Sequence, residues 1–286
     1  MRRAFLTLAA AATIAAAPLS AQKAVSWPPP LPAAAQADSS GGEIEFFTSR
    51  DWKYAAGFAA ATVVLAPLDR ALAQSIQDSL LQGSPLLSTA ATGARLLGVP
   101  GSLVISGGLY AGGRIRGDRD LAELGLHTGA SVVATNTIIF ALKTVAGRDR
   151  PYQNPDNPFD FAFLGGLGDE GRRSFPSGHT ASAFAAAAAA TTEVGRHWPR
   201  HHVLVGTVLF ASAGLVGVSR MYNNKHWASD VAVGAAIGTF TGWKVVRYTQ
   251  AHPNNALDRL FLGRSHDDPV PDDSAPIVIG FTIRTR

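Results

Sequence analysis

The segment FPSGHT, residues 175–180, places a serine, a glycine and a histidine directly before an alanine-rich run. Ser177 is a residue type favoured at helix N-caps, and the first amides of a helix attract anions together with the helix dipole. Gly178 lets the backbone approach a ligand closely, and we expect His179 beside the same anion. Because Pro-Ser-Gly is also common punctuation at an ordinary helix start, this segment indicates an anion site only in combination with others.

The segment KTVAGRDRP, residues 143–151, carries the second group of candidates. We predict that Lys143 lies on the last turn of an apolar helix that Gly147 ends. Arg148 and Arg150 follow at once, so several cations gather at one helix end. Cations at this position often only offset the helix dipole, but an arginine fork and a lysine point charge also suit phosphate oxygens.

The third group lies in SRMYNNKHWASD, residues 219–230. We predict that Arg220 ends one apolar helix and that His226 begins the next. A spacing of four residues puts His226 and Asp230 on one helix face, where Asp230 can accept a hydrogen bond from one ring nitrogen and leave the other nucleophilic. A purely structural histidine–carboxylate pair fits the same spacing.

The elements that position these residues are apolar segments separated by Gly, Pro and polar breaks between residues 51 and 249. They are too long for typical strands, so we predict an all-α fold, a helical bundle of about six core helices over residues 51–250. In an up-down bundle alternate boundaries share one end. The breaks at residues 147–178 and 220–226 therefore converge on one pocket with two histidines.

The two ends of the chain are predicted to lie outside this domain. Residues 1–21 read as an export signal peptide, since two arginines precede a short alanine-rich apolar run, and a membrane anchor is the alternative. Residues 22–50 are rich in Pro, Ala and Ser and predict a flexible linker, and residues 251–286 a polar tail without a catalytic role.

Composition excludes several functions. The chain has 25 basic and 21 acidic residues, and its net charge of +4 is dispersed. With no basic cluster interleaved with aromatic residues, nucleic acid is not an expected partner. Because the sequence contains 0 cysteines, thiol nucleophiles and cysteine-bound metals are excluded.

The three segments together resemble the type 2 phosphatidic acid phosphatases (PAP2) and the related vanadium haloperoxidases. KTVAGRDRP fits the family pattern KxxxxxxRP, FPSGHT fits PSGH, and SRMYNNKHWASD fits SRxxxxxHxxxD. All fixed letters of these patterns agree in the family's order. Outside residues 143–230 the similarity is to a helical architecture only.

The resemblance implies a role for each matching residue. His226 would attack phosphorus and become a phosphohistidine, Asp230 would orient it, and His179 would protonate the leaving oxygen. The phosphoryl oxygens would be held by Lys143, Arg150, Ser177, the Gly178 amide and Arg220. No metal or other cofactor is expected, and vanadate should mimic phosphate at the site.

The family leaves several activities open. A phosphatase acting on lipid phosphates such as phosphatidate, isoprenoid diphosphates or lipid A is the main expectation. The alternatives are a nonspecific periplasmic acid phosphatase of small esters and a vanadate-dependent haloperoxidase. A phosphate-binding protein without turnover would lack one of the two histidines, and both are present. Phe159, Phe161, Phe163 and Leu164 form an apolar lip in the loop before PSGH, which favours a lipid substrate; filling of the bundle's end is the other interpretation.

We predict that the protein is exported and that its active site faces the periplasm. Basic stretches fall at the boundaries opposite the active-site end, as integration into the cytoplasmic membrane requires. Two observations favour instead a periplasmic bundle resting on the membrane. First, six spans with the active-site end outside would put the residues before Asp51 inside the cell, whereas an export signal puts them outside. Second, two segments look weak as spans, because one breaks at Asp69 and another contains His127 and Asn136.

Overall fold

The computed structural model describes residues 49–253 and 255–263, and the regular secondary structure of these residues is entirely helical. The predicted all-α class is confirmed. The α-helices are α1 Ser49–Leu65, α2 Asp69–Ile76, α3 Ser79–Gln82, α4 Pro85–Leu96, α5 Val99–Arg116, α6 Arg119–Ala146, α7 Gly178–His197, α8 His202–Tyr222, α9 Ala228–Ala251 and α10 Ala256–Phe261. The predicted signal peptide lies outside the described residues, as do the linker up to residue 48 and the tail from residue 264.

The six predicted helices correspond to α1, α5, α6, α7, α8 and α9. The sequence prediction missed α4, although its start carries ordinary signals: the Ser84 side chain accepts a hydrogen bond from the Leu87 amide at 3.4 Å, and Pro85 occupies the first turn. It also missed α10, which lies inside the predicted tail.

Helix α7 lies at the centre of the bundle, packed against α6, α8 and α9. Alanine is the commonest of its buried residue types, so its neighbours approach closely. Along α9, Gly234, Gly238 and Gly242 face α7 directly. A Cβ atom at Gly238 would come within 2.1 Å of the Ala181 carbonyl oxygen, so these glycines allow backbone-to-backbone packing. This contact sets the spacing of the two helices that carry PSGH and Asp230.

The outer faces of several helices are apolar and exposed, including Val63, Val104, Phe140 and Val203. Among the described residues, three helical stretches are long and apolar enough to cross a membrane: Asp51–Ile76, Arg119–Ala146 and Pro199–Tyr222. The pair Pro85–Leu96 and Val99–Arg116, bent by 51°, passes the same test together. Since large exposed apolar surfaces mark sites that water does not cover, these faces indicate membrane association.

The expectation that two segments are weak spans is wrong, because their polar residues face inward. Asn136 on α6 donates a hydrogen bond to the Ser182 hydroxyl at 2.8 Å, and His127 is buried between Glu193 and Asp258. Asp69 is also fully buried. The outer faces of both segments stay apolar, and polarity no longer favours a bundle wholly outside the membrane.

The two ends of the bundle are built differently. The C-terminal ends of α6 and α8 meet the N-terminal ends of α7 and α9, and the loops between them carry the three sequence motifs. At the opposite end α10 docks on the bundle: the Tyr110 hydroxyl donates to the Phe261 carbonyl at 2.8 Å, and Arg114 donates to the Leu262 carbonyl at 2.8 Å. Part of the predicted tail is therefore an integral element of the fold.

Candidate active site

The end of α6 turns the chain over the site. Gly147 adopts a left-handed conformation, φ 55°, and its amide donates to the Lys143 carbonyl at 3.2 Å, so it ends the helix as predicted. The following loop returns so closely that a Cβ at Gly147 would lie 2.0 Å from the Ala162 carbonyl oxygen. The loop then delivers Ser177, whose amide donates to the Asp230 carbonyl at 3.0 Å. This bond joins the starts of α7 and α9.

His226 and Asp230 are brought together by a helix cap. His226 precedes α9, which begins at Ala228, so the expected sharing of a helix face is wrong. Asp230 instead folds back over the first turn, and its Oδ2 accepts a hydrogen bond from the Trp227 amide at 2.9 Å. The same oxygen lies 3.5 Å from His226 Nδ1, slightly beyond an ordinary hydrogen bond, and Nδ1 has no closer partner among the described residues. Nε2 is left as the ring nitrogen for a ligand.

Asp230 is fully buried within a polar network. Its carboxylate accepts hydrogen bonds from Arg148 Nη1 at 2.5 Å and from the Ser174 hydroxyl at 2.6 Å. Burial alone would raise the pKa of Asp230, but His226, Arg148 and Ser174 outweigh it and lower that pKa to about 2. The carboxylate is therefore ionised, as a partner for the His226 ring must be.

Arg148 connects Asp230 to a second carboxylate. Its Nη2 donates to Asp69 Oδ2 at 2.8 Å, and Asp69 also accepts hydrogen bonds from the Ser229 amide and hydroxyl. Both ion pairs of Arg148 are buried, and its guanidinium further binds the Pro158 carbonyl. The sequence motif did not assign Arg148, and nothing in the sequence marked Asp69, which lies 79 residues away.

His226 is neutral over the physiological pH range. Burial of its ring lowers its pKa, and Lys143 and Arg220 lower it further against the opposing effect of Asp230, to about 3. A neutral imidazole has a free lone pair, which a nucleophile needs.

His179 is also neutral, within a cluster of cations. Burial lowers its pKa, and the positive charges of four residues lower it further, to about 4: Arg220, Lys143, Arg95 and Arg150. Arg95 lies on α4 and is exposed, and the sequence prediction missed it together with that helix. The backbone of Gly98 backs the ring, since a Cβ there would lie 2.7 Å from His179 Cδ2.

The cations keep donors available for an anion. Arg150 Nε and Arg220 Nε are buried and have no hydrogen-bond partner in the described part of the chain. Arg150 otherwise lies 3.5 Å from Glu170, whose side chain is exposed. Lys143 Nζ donates to the Arg173 carbonyl at 2.5 Å. Buried donors without partners are costly, and a phosphate group between these side chains would satisfy them.

Ser177 and Gly178 occupy the predicted start of α7. Ser177 is at the N-cap, but its hydroxyl contacts the Thr180 hydroxyl at 2.8 Å and makes no hydrogen bond to a backbone amide of the first turn. Its expected capping bond is therefore not formed. Gly178 lies beside Lys143, since a Cβ there would be 3.6 Å from Lys143 Cε. The structure thus brings all eight predicted site residues to one end of the bundle.

The described residues contain no group of three or more His, Asp or Glu side chains arranged to hold a metal ion.

Comparison with known proteins gives the family. Residues 124–253 match the family model of the PAP2 superfamily. The lipid A 1-phosphatase of Porphyromonas gingivalis is 42% identical over 94 residues, which cover 28% of this chain and 20% of that protein. The lipid A 4'-phosphatase of Bacteroides thetaiotaomicron is 31% identical over 135 residues, 47% of this chain and 53% of that protein. The chain thus spans between a fifth and about half of the length of these relatives.

Among solved structures, the chain is similar to a transmembrane PAP2 type phosphatidylglycerolphosphate phosphatase from Bacillus subtilis, with a TM-score of 0.48 and 21% identity over 69% of this chain and 96% of that one. The stretch that matches the family model contains all three motifs. The resemblance seen in the motifs is therefore confirmed, since residues 124–253 of this chain match the PAP2 superfamily.

Proposed function

We propose that the protein is a metal-independent phosphatase that hydrolyses phosphate monoesters or diphosphates of lipids through a phosphohistidine intermediate. The observation that carries the proposal is the pairing of two neutral histidines, His226 and His179, with buried guanidinium donors of Arg150 and Arg220 that have no partner. Such a site supplies a nucleophile, a proton-transfer group and positive charge at one place.

In the first step, His226 Nε2 forms a bond to phosphorus while the bond from phosphorus to the leaving oxygen breaks. The ring becomes positively charged, and the ionised Asp230 near Nδ1 stabilises that charge. The leaving oxygen takes a proton from His179. Because a bound phosphate is an anion, its approach raises the pKa of His179 and supplies the protonated form that this step needs.

In the second step, water attacks phosphorus and His179 removes its proton. The bond between phosphorus and His226 breaks, inorganic phosphate leaves, and both histidines return to their starting states. Throughout, Lys143, Arg150 and Arg220 offset the negative charge that the transition states place on the phosphoryl oxygens.

Two observations support a lipid substrate. The relatives described above act on lipid A by name, and the outer faces of α1, α5, α6 and α8 are apolar. Arginines lie at the opposite end of the bundle from the site, among them Arg114, Arg116, Arg196 and Arg200. By the positive-inside rule that end faces the cytoplasm, which directs the active site to the periplasm of an exported membrane enzyme.

Activity is tested with purified protein in detergent micelles. Phosphate release is measured from phosphatidate, lipid A and p-nitrophenyl phosphate, with and without EDTA. We expect phosphate to be released from the lipids, at a rate that EDTA does not change. Oxidation of bromide in the presence of vanadate and peroxide, without phosphate release from any ester, would instead identify a haloperoxidase.

The mechanism is tested by trapping. Protein from a reaction with ³²P-labelled substrate that is quenched in alkali should carry label, and acid treatment should then release it, as expected of a phosphohistidine. His226→Ala should lose the label and reduce kcat by roughly 10⁴-fold or more. The matched control is His201→Ala, which removes an exposed histidine at the other end of the bundle and should behave like the unaltered protein. Label that persists in His226→Ala would exclude His226 as the nucleophile.

A further inference from the structure

An exposed apolar turn lies beside the active-site end of α6. Three of its side chains are exposed, with exposed fractions of 81% for Phe163, 41% for Leu164 and 62% for Leu167. These three residues are called the apolar turn below. They do not pack into the bundle, so filling its end does not explain them.

The other aromatic residues of the predicted lip are not equivalent. Phe161 packs edge-on against Phe175, with ring centroids 6.1 Å apart, and the Arg148 guanidinium lies 5.2 Å from its ring centroid. Phe161 therefore supports the network around Asp230. Phe159 and Phe161 also remain 58% and 47% exposed, so the apolar turn is the part of this apolar surface that adjoins α6.

The apolar turn is attached to the phosphate-binding cluster. The Leu164 amide donates to the Val145 carbonyl at 3.0 Å, and Gly166 packs so closely on α6 that a Cβ would lie 2.2 Å from the Lys143 carbonyl oxygen. Arg173 Nε donates to the Gly166 carbonyl at 2.6 Å, while the Arg173 carbonyl accepts from Lys143 Nζ. The apolar turn thus holds a fixed position relative to the Lys143 ammonium group.

The apolar turn also continues the outer face of α6. Ile138, Phe140, Leu142 and Val145 are exposed along the last two turns of the stretch Arg119–Ala146, which is long and apolar enough to cross a membrane. The hydrogen bond from Leu164 to Val145 joins the two surfaces. One continuous apolar strip therefore leads along α6 to the level of Lys143.

We propose that the apolar turn inserts among the acyl chains of the leaflet on the active-site side and holds the substrate's acyl chain against α6, so that its phosphate reaches Lys143. Membrane contact follows from the continuity of the apolar strip with α6 and does not depend on catalysis. The part that concerns the substrate rests on the proposed function. We therefore expect the apolar turn to favour hydrolysis of lipid phosphates over hydrolysis of small soluble esters of the same chemistry.

Membrane contact is tested by site-specific labelling, since the chain has 0 cysteines and a single introduced one is unique. Phe163→Cys carries an NBD fluorophore in nanodiscs of phosphatidylcholine and phosphatidylglycerol that contain nitroxide-labelled lipid. We expect strong quenching at position 163. The control is Asp156→Cys, on the same loop, where the side chain is 67% exposed in a surface ion pair with Arg70. Equal and weak quenching at both positions would overturn the proposal.

Substrate selection is tested by a polar variant of the apolar turn, Phe163→Ser with Leu164→Asn and Leu167→Ser. Asparagine is chosen for Leu164 because that residue has φ 60°, a conformation that asparagine tolerates well. We expect kcat/KM for dioleoyl phosphatidate in phosphatidylcholine vesicles to fall at least about tenfold, and kcat/KM for water-soluble dibutyryl phosphatidate to stay within about twofold.

The apolar control variant, Phe163→Leu with Leu167→Met, should retain activity on both substrates. An equal loss on both substrates in the polar variant, or no loss on either, contradicts the proposal. If the unaltered protein hydrolyses neither these substrates nor lipid A while the label at 163 is quenched, the proposed function fails and the membrane contact stands. If it hydrolyses dioleoyl phosphatidate while the label is not quenched, the proposed function stands and this inference fails.

Discussion

Histidines lie at both ends of the bundle, and their neighbours have opposite charges. At the active-site end, His179 on α7 is surrounded by arginines and a lysine, and its pKa is lowered to about 4. At the other end of the same helix, the carboxylates of Glu123 and Glu193 lie 3.4 and 3.3 Å from His197 Nε2 and raise its pKa to about 9. His127 likewise contacts Glu193 and Asp258 with its two ring nitrogens.

The difference shows which histidine is available for chemistry. A histidine between carboxylates, such as His197, is protonated at neutral pH, and its ion pairs fasten neighbouring helices together. A histidine among cations is neutral and unpaired until an anion arrives, so binding of the anion and protonation of the ring favour each other. The neighbours, more than the residue type, separate a structural cluster from a reactive one.

Of the changes that test this comparison, His179→Asn should have the largest effect, because it removes the proposed acid from the cation-rich end. We expect kcat for phosphatidate to fall by roughly 10²- to 10⁴-fold. The loss should be smaller for p-nitrophenyl phosphate, because a p-nitrophenolate leaves without a proton. Steady-state kinetics with both substrates measures the two factors, and equal losses would argue against an acid role.

The matching change at the opposite end is His127→Gln, which should affect stability and leave the chemistry intact. It leaves the buried carboxylate of Asp258 without its cation and leaves Glu193 with His197 alone, a loss of about 3–5 kcal/mol in the free energy of unfolding. Thermal or denaturant unfolding in detergent measures this loss. At temperatures below the unfolding transition, kcat should stay within about threefold of the value for the unaltered protein. A large fall in kcat of the folded variant would show that the two ends of the bundle are coupled.

A smaller effect on activity is expected from Asp69→Asn, which weakens the support of Arg148 beneath Asp230. We expect kcat to fall by about 10- to 100-fold with KM nearly unchanged, because Asp69 does not touch the phosphate. The control is Asp156→Asn, which removes a carboxylate from an exposed ion pair and should leave both kcat and KM unchanged. A rise in KM as large as the fall in kcat would contradict a positioning role.

The smallest effect is expected from Arg95→Gln, which should shift the pH dependence of kcat/KM. Arg95 is one of the cations that lower the pKa of His179, so its removal raises that pKa. The protonated acid then persists to higher pH, and the alkaline limb of kcat/KM should move upward by about half a pH unit. Because both proteins are assayed with the same substrate, the titration of the substrate affects both pH profiles equally. A downward shift of the alkaline limb, or no shift, would contradict the proposal that the surrounding cations lower the pKa of His179.

The features that the sequence predicted are those encoded locally. Lys143 and Gly147 are placed by ordinary rules for a helix end, and six apolar runs gave six helices. The link between His226 and Asp230 was predicted for the wrong reason, because a spacing of four fits both a helix face and a carboxylate that folds back over a helix start. Only the structure distinguishes the two.

The features that the sequence could not predict depend on contacts between distant residues. The ion pair of Arg148 with Asp69 spans 79 positions, and no local pattern announces it. Asn136 and His127 look unfavourable in a membrane span until packing shows that they face neighbouring helices. The roles of His226 and His179 in turnover stay predictions until they are measured.

The close packing of α9 against α7 has a consequence for engineering. Because Gly234, Gly238 and Gly242 place backbone on backbone, the separation of the two helices that carry the candidate site does not depend on the size of any side chain between them. The loop before PSGH is different, because its Pro158 carbonyl binds the Arg148 guanidinium and its Arg173 carbonyl binds Lys143. A designer who wishes to change the substrate can therefore vary an exposed side chain of that loop, such as Phe163, and keep its backbone contacts and both helices unaltered.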